Sequence, residues 1–253
     1  MLSLENVSVT FNKGTLLERR ALTDINLTIR EEDFVTVIGS NGAGKSTLLN
    51  IITGNICPQK GRILVNDTEV TAWPVERRAR FVARVFQDPL EGTCGELTVE
   101  ENLALALKRG TQRTLSKALN GKNRNLFEET LARLNLGLEK RLRQPIGLLS
   151  GGQRQAISLM MAVLSPMEIL VLDEHTAALD PKTASFIIKL TRDIIAEKKL
   201  TVLMVTHSMH QALDVGTRTI MMHDGIVKRD LGEEERNKLT HQDLLTFFEE
   251  IDG

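Results

Sequence analysis

Apolar and polar residues alternate with a period of two through "LSLENVSVTF" (Leu2–Phe11) and again through "ALTDINLTIR" (Ala21–Arg30). That is the pattern of strands with one buried face. The polar stretch "NKGTLLERR" joins them as a loop. Farther on the pattern changes. "FVTVIG" (Phe34–Gly39), "EILVLD" (Glu168–Asp173) and "LTVLMVTH" (Leu200–His207) are apolar at nearly every position, as strands of a parallel sheet covered on both faces are. A glycine-rich loop and a helix starting near Gly44 follow the first of these runs. "DPKTASFIIKLTRDIIAEKK" predicts a helix with Asp180 as N-cap and Pro181 in its first position. Turn signals at Asn66-Asp67 and Asp224-Gly225 predict two antiparallel hairpins.

Between about Asp88 and Ser165 no strand pattern is present. "TVEENLALALK" opens on Thr98 as a helix N-cap, and Leu126, Phe127, Leu131 and Leu134 recur at helical spacing. The expected organisation is a single α/β domain. Residues 1–88 and 165–232 form the core with an antiparallel β subdomain, 89–164 an inserted helical subdomain, and 233–253 a packed terminal helix carrying "LLTFF".

Composition narrows the classes. The 253 residues suffice for one large α/β domain. A net charge of −1 gives no basic field for nucleic acid or an anionic membrane. The two cysteines, Cys57 and Cys94, match no metal spacing and read as reduced thiols. The N-terminus is a strand pattern rather than a signal peptide. The longest apolar stretch, Ala156–Leu164, falls far short of the roughly 20 residues of a membrane span.

Two motifs carry chemistry by themselves. "GSNGAGKST" (Gly39, Ser40, Asn41, Gly42, Ala43, Gly44, Lys45, Ser46, Thr47) fits G-x-x-x-x-G-K-[ST] between a strand and a helix. Glycines let backbone N–H groups converge on an anion, and the helix dipole adds positive potential. Lys45 would reach the β- and γ-phosphates, and Ser46 would offer its hydroxyl to Mg2+. "EILVLDEHTAALD" then ends an apolar run in two adjacent carboxylates, Asp173 and Glu174, with Asp180 beyond. Asp173 fits the magnesium-holding acid of a phosphate-loop NTPase. Glu174 bears two readings, a general base for water or a solvated helix-cap acid.

"LLSGGQRQ" (Leu148–Gln155), read alone, is a helix start capped by Ser150. With Lys45, Asp173 and Glu174 it resembles the signature of the ATP-binding cassette (ABC) family. The resemblance runs in order through the phosphate loop, Gln87 in "VFQD", Ser150-Gly151-Gly152-Gln153, the Asp-Glu pair, Asp180 closing "AALD" and His207 in "VTH". It implies a phosphate-loop NTPase (RecA-like) core with an antiparallel β subdomain and an inserted helical subdomain. It also implies ATP and Mg2+ as ligands and a head-to-tail dimer, in which Ser150, Gly151, Gly152 and Gln153 of one copy close on ATP held by the other. Ser46, Gln87 and Asp173 would surround the metal. Glu174 and His207 would act on water and γ-phosphate, and Asp180 would sit between the copies as well as capping its helix. Phe11 stands where the family usually has a tyrosine under adenine, in a chain without tyrosine. It bears that reading or the one of a plain core aromatic. Proline usually follows the glutamate, where this chain has His175, read as a tolerated loop variant. Several phrases, "DEHTAALDPKTA" among them, are similar to ATPases of bacterial importers for aromatic amino acids. Such ATPases work with integral permeases and an extracytoplasmic binding protein, at the cytoplasmic face of the membrane and without nucleic acid. The permease is expected to dock around Gln87–Leu97. The competing readings were a soluble cassette ATPase acting on DNA or ribosomes and a metabolic phosphate-loop kinase.

Overall fold

Both alternating N-terminal segments become strands. β1 (Leu2–Phe11) and β2 (Arg19–Ile29) pair antiparallel, with Leu2 opposite Ile29 and Phe11 opposite Arg19. The buried positions of β1 shift from even (Leu2, Leu4) to odd (Val7, Val9). The register slips between Leu4 and Val7, and Asn6 there takes a φ of 51°. A bulge thus absorbs the change of parity and keeps one face buried throughout. This chain of 253 residues is seen in a computed structural model that describes residues 1–111 and 117–252. They fall into two compact units, Met1–Arg78 with Lys199–Gly253, and Ala79–Lys198.

In the first unit, β3 (Phe34–Gly39) is buried at all six positions and feeds α1 (Lys45–Thr53). β4 (Lys60–Val65) pairs with β1 and turns into the short β5 (Thr68–Glu69). Both turn residues, Asn66 and Asp67, have positive φ, the requirement of the two-residue turn expected there. After α2 (Val75–Arg78), Arg78 is fully buried. Its guanidinium donates to the carbonyls of Ile51 and Ile52 at the end of α1 and to Val70 and Thr71. A permanent cation thus caps a helix C-terminus. Burial pulls its pKa down to about 10.

The second unit opens on β6 (Val82–Val85). α3 (Val99–Leu107) starts with the expected Thr98 cap, completed by Glu101 into a reciprocal capping box. α4 (Gly121–Ala132) buries Phe127 and Leu131, while Leu126 is exposed and Leu134 is buried from beyond the helix end. The helix expected from these apolar positions is present, but the four do not share one buried face. Glu100 accepts from Arg124 Nε at 2.7 Å and Nη2 at 3.1 Å, tying α3 to α4. Two 3-10 turns lead to α5 (Gly151–Val163), β7 (Ile169–Asp173) and α6 (Pro181–Lys198). β6 and β7 run parallel. Residues 112–116 of the expected helical segment lie outside the described residues.

The chain then returns to the first unit. β8 (Thr201–Val205) and, after α7 (Met209–Asp214), β9 (Arg218–His223) flank β3, both parallel to it. β10 (Ile226–Leu231) closes the hairpin at Asp224 and Gly225, both at positive φ. After α8 (Glu233–Arg236), α9 (His241–Asp252) packs Leu244 against Ile38, Ala212, Met221 and Leu231.

Candidate functional site

The phosphate loop belongs wholly to the first unit. Gly39 ends β3 so close to its neighbour that a Cβ would stand 2.4 Å from Met222 O. Gly44 has φ 98°, and a Cβ there would stand 2.5 Å from Ala21 O. Neither position admits another residue without moving backbone. The rest of the loop is tied from within and from outside. Arg19 Nη2 donates to Gly42 O at 3.2 Å, Ala43 N to Ser40 O at 3.2 Å, and Gly225 N to Ala43 O at 3.1 Å. Lys45 is buried, and its Nζ donates to Gly39 O at 2.8 Å and Ser40 O at 3.0 Å. The ammonium is thereby drawn back over its own loop.

α1 starts with no side-chain cap. Its first N–H groups and the positive dipole end therefore face the concave side of a glycine-built loop, beside a buried ammonium. This is an arrangement for an anion. Ser46 is exposed in the first turn and Thr47 is half-buried. Asn41 and Gly42 are exposed at the loop crest, and Ala43 is buried.

Two further expected residues lie in this unit. Phe11 ends β1 and is 37% exposed, so it is not a core aromatic. It pairs across strands with Arg19, whose guanidinium bonds the phosphate loop. Through that arginine the ring and the loop share one neighbour, which sequence spacing could not reveal. His207 is exposed just past β8. Thr206 Oγ1 donates to Gln211 Oε1 at 2.8 Å and accepts from Ser208 N at 3.1 Å, and Ser208 caps α7. The histidine is thus carried on a hydrogen-bonded turn.

The second unit holds the remaining expected residues. Asp173 closes β7, and Glu174 follows in the left-handed region with φ 44°. For a residue with a Cβ this is strained, and such strain persists only where surrounding contacts enforce it. The next residue supplies one such contact. His175 is only 2% exposed, and its Nε2 lies 3.1 Å from Thr191 Oγ1 in α6. Thr191 gives its own proton to Ile187 O at 2.8 Å, so the ring must donate from Nε2. Burial lowers the His175 pKa to about 4, which keeps it neutral. The reading of His175 as a tolerated loop variant is therefore corrected: it is a buried anchor for the turn that carries Glu174.

Asp180 Oδ1 accepts from Thr183 N at 3.1 Å, the N-cap bond expected of it. Hydrogen bonds from the Thr183 side chain and backbone hold its carboxyl below the usual range. Gln87 is exposed just past β6. Ser150 caps α5 and exchanges bonds with Gln153, Gln153 N to Ser150 Oγ at 3.3 Å and Ser150 N to Gln153 Oε1 at 3.2 Å. Gly151 has room about it, but a Cβ on Gly152 would lie 2.2 Å from Thr183 Cγ2. A side chain there would force Thr183 to shift.

Asp173 has a partner that sequence reasoning missed. Arg84 Nη2 lies 2.5 Å from its Oδ2. The two residues are 89 positions apart, and only the parallel pairing of β6 with β7 brings them together.

Ser46 in the first unit offers a hydroxyl oxygen, and Gln87 and Asp173 in the second offer amide and carboxylate oxygens, each a donor type that suits a hard divalent cation. Glu174 in the second unit and His207 in the first are groups able to accept and hold a proton.

A family model for ABC transporters matches residues 22–177. The tyrosine transport ATP-binding protein of Clostridioides difficile (strain R20291) is 45% identical over 249 residues, covering 98% of this chain and 99% of that protein. Among solved structures, the dimeric post-hydrolysis state of the ATP-binding cassette MJ0796 bound to ADP and Pi superposes with a TM-score of 0.78. It is 31% identical and covers 92% of this chain and 99% of that one. CbiO1 from Clostridium perfringens, part of the ABC transporter complex cbiONQ, gives a TM-score of 0.77 at 25% identity, over 92% and 89% of the two chains. The expected phosphate-loop NTPase fold is borne out by these likenesses. The chain belongs to the ABC transporter family and is an ATP-binding, ATP-hydrolysing cassette.

Proposed function

We propose that this cassette powers solute uptake in a bacterium, as one of two copies bound to a separate membrane permease at the cytoplasmic face. The solute is of the aromatic amino-acid class, delivered by an extracytoplasmic binding protein. The likeness over nearly the full length to a tyrosine transport ATP-binding protein supports this class. The likeness to a member of a transporter complex supports the permease, and that to a dimeric cassette supports the pairing. Among the described residues no helix is long and apolar enough to cross a membrane, and the proposed role asks for none.

The observation that carries the nucleotide part is the uncapped start of α1, with Lys45 folded onto the loop carbonyls. In the proposed cycle those N–H groups receive the phosphates, and Lys45 turns from Gly39 O and Ser40 O to the β- and γ-phosphate oxygens. Phe11 offers a π-face to adenine. Ser46, Asp173 and Gln87 would hold Mg2+, which when bound would supply positive charge against the phosphates. Glu174 takes the proton of the attacking water, and His207 holds that water and the γ-phosphate. Ser150, Gly151, Gly152 and Gln153 of the second copy add their helix end from the other side. Asp180 stands between the copies.

Glu174→Gln tests the assignment most directly. The variant should bind ATP, lose hydrolysis by about a hundredfold or more and accumulate as a dimer on size-exclusion chromatography. Brisk turnover would remove Glu174 as the base. Purification of the tagged chain without any polytopic membrane protein would count against the transport role.

A further inference from the structure

The Arg84–Asp173 contact joins the proposed metal carboxylate to another part of the second unit. Both side chains are only 14% exposed, so water screens the pair weakly. The Arg84 guanidinium also lies over the Phe86 ring, 4.6 Å from its centroid. Beyond it opens a cavity of about 390 Å3, lined by Arg84, Phe86, Glu91, Asn102 and Arg109 among others. Arginine is permanently charged, so it cannot yield by losing a proton. A divalent cation on the Asp173 carboxylate would meet this guanidinium at close range, and like charges there repel.

We propose that Arg84 is a built-in competitor for the metal: it holds Asp173 while the metal–nucleotide is absent and moves to the cavity side when the metal arrives. The inference rests on the reading of Asp173 as a metal ligand. One feature favours the displaced position: the carboxylate of Glu91 lines the same cavity. Phe86, already under the guanidinium, lines it too, so the cation–π contact does not have to be given up on the way. The consequence is a positioning residue that tunes metal affinity through Asp173, without itself touching nucleotide. By linkage, whatever favours the displaced arginine tightens the metal–nucleotide, and the reverse holds equally.

The test is equilibrium binding of ATP to the full chain, once with Mg2+ and once with EDTA, with the ratio of the two affinities as readout. Arg84→Met keeps the bulk and removes the charge. It should raise the Mg2+-dependent gain about tenfold over the native chain, the equivalent of removing a competitor worth about 1.4 kcal/mol. Arg84→Lys, which restores the charge, should bring the ratio back toward native. Should the methionine variant fail to fold, Arg84→Gln carries the same expectation. An unchanged or smaller gain in the neutral variant overturns the inference and leaves the metal reading standing. Asp173→Asn should abolish the Mg2+ gain; if the gain survives, the metal reading falls and the inference with it.

Discussion

The turn that leaves β3 for α1 and the turn that leaves β7 for α6 both carry the chain from a buried parallel strand into a helix, yet they share almost no construction. The first relies on glycine: Gly39 and Gly44 pass too close to Met222 O and Ala21 O for any side chain, and α1 starts without a side-chain cap. The second contains no glycine. It places Glu174 in the left-handed region, buries His175 against Thr191 and caps α6 with Asp180. Where an anion must be received, side chains are removed so that backbone N–H groups stay available. Where a carboxylate must be aimed, side chains hold the backbone against its own preference.

Lys45→Ala should break the contrast most severely, because it removes the buried cation of the first turn. ATP affinity should fall by about a hundredfold, within the range for deleting one partner of a buried charge contact. Isothermal titration reads this, and an affinity near native would show that the backbone donors suffice.

The second turn should fail instead in acid. His175 is neutral in the native state with a pKa near 4, against an ordinary 6.5. The unfolded chain therefore binds a proton first as pH falls, so the stabilising preference is complete above about 6.5 and fades toward 4. About 2 kcal/mol should be lost between pH 7.5 and 5 from this group. Urea unfolding at the two pH values checks it, and His175→Gln should flatten the difference. An equal pH slope in that variant would mean other groups set it.

The smallest effect is expected from Asp180→Ala, which deletes one N-cap bond and should lower the melting temperature by about 3 °C. A change below the error of calorimetry would show that α6 does not depend on that cap.

The sequence made one side of this contrast more legible than the other. A phosphate loop can be read directly because its rule is local: glycines, a lysine and a hydroxyl within nine residues, between a strand and a helix. The same holds for the hairpins at Asn66-Asp67 and Asp224-Gly225 and for the caps at Thr98, Ser150 and Asp180, each decided within four residues. What escaped is non-local. Arg84 meets Asp173 only because two strands far apart in sequence lie side by side. Arg78, within the basic run "RRAR", carries no local sign that it is buried over the end of α1. His175 looked incidental because Thr191, its partner, is 16 residues ahead on a helix. The spacing of Leu126, Phe127, Leu131 and Leu134 foretold the helix but not which of them it would bury, and Leu126 is turned outward.

The close approach of Gly152 to Thr183 has a mechanical consequence. With no side chain on Gly152, Thr183 at the head of α6 packs directly on the head of α5 with little slack. A swing that carries the Ser-Gly-Gly end toward a second copy would therefore push on the turn that holds Asp180. A bulkier residue at position 152 would press on Thr183 and alter that geometry at the very helix end proposed to close on the other copy's nucleotide.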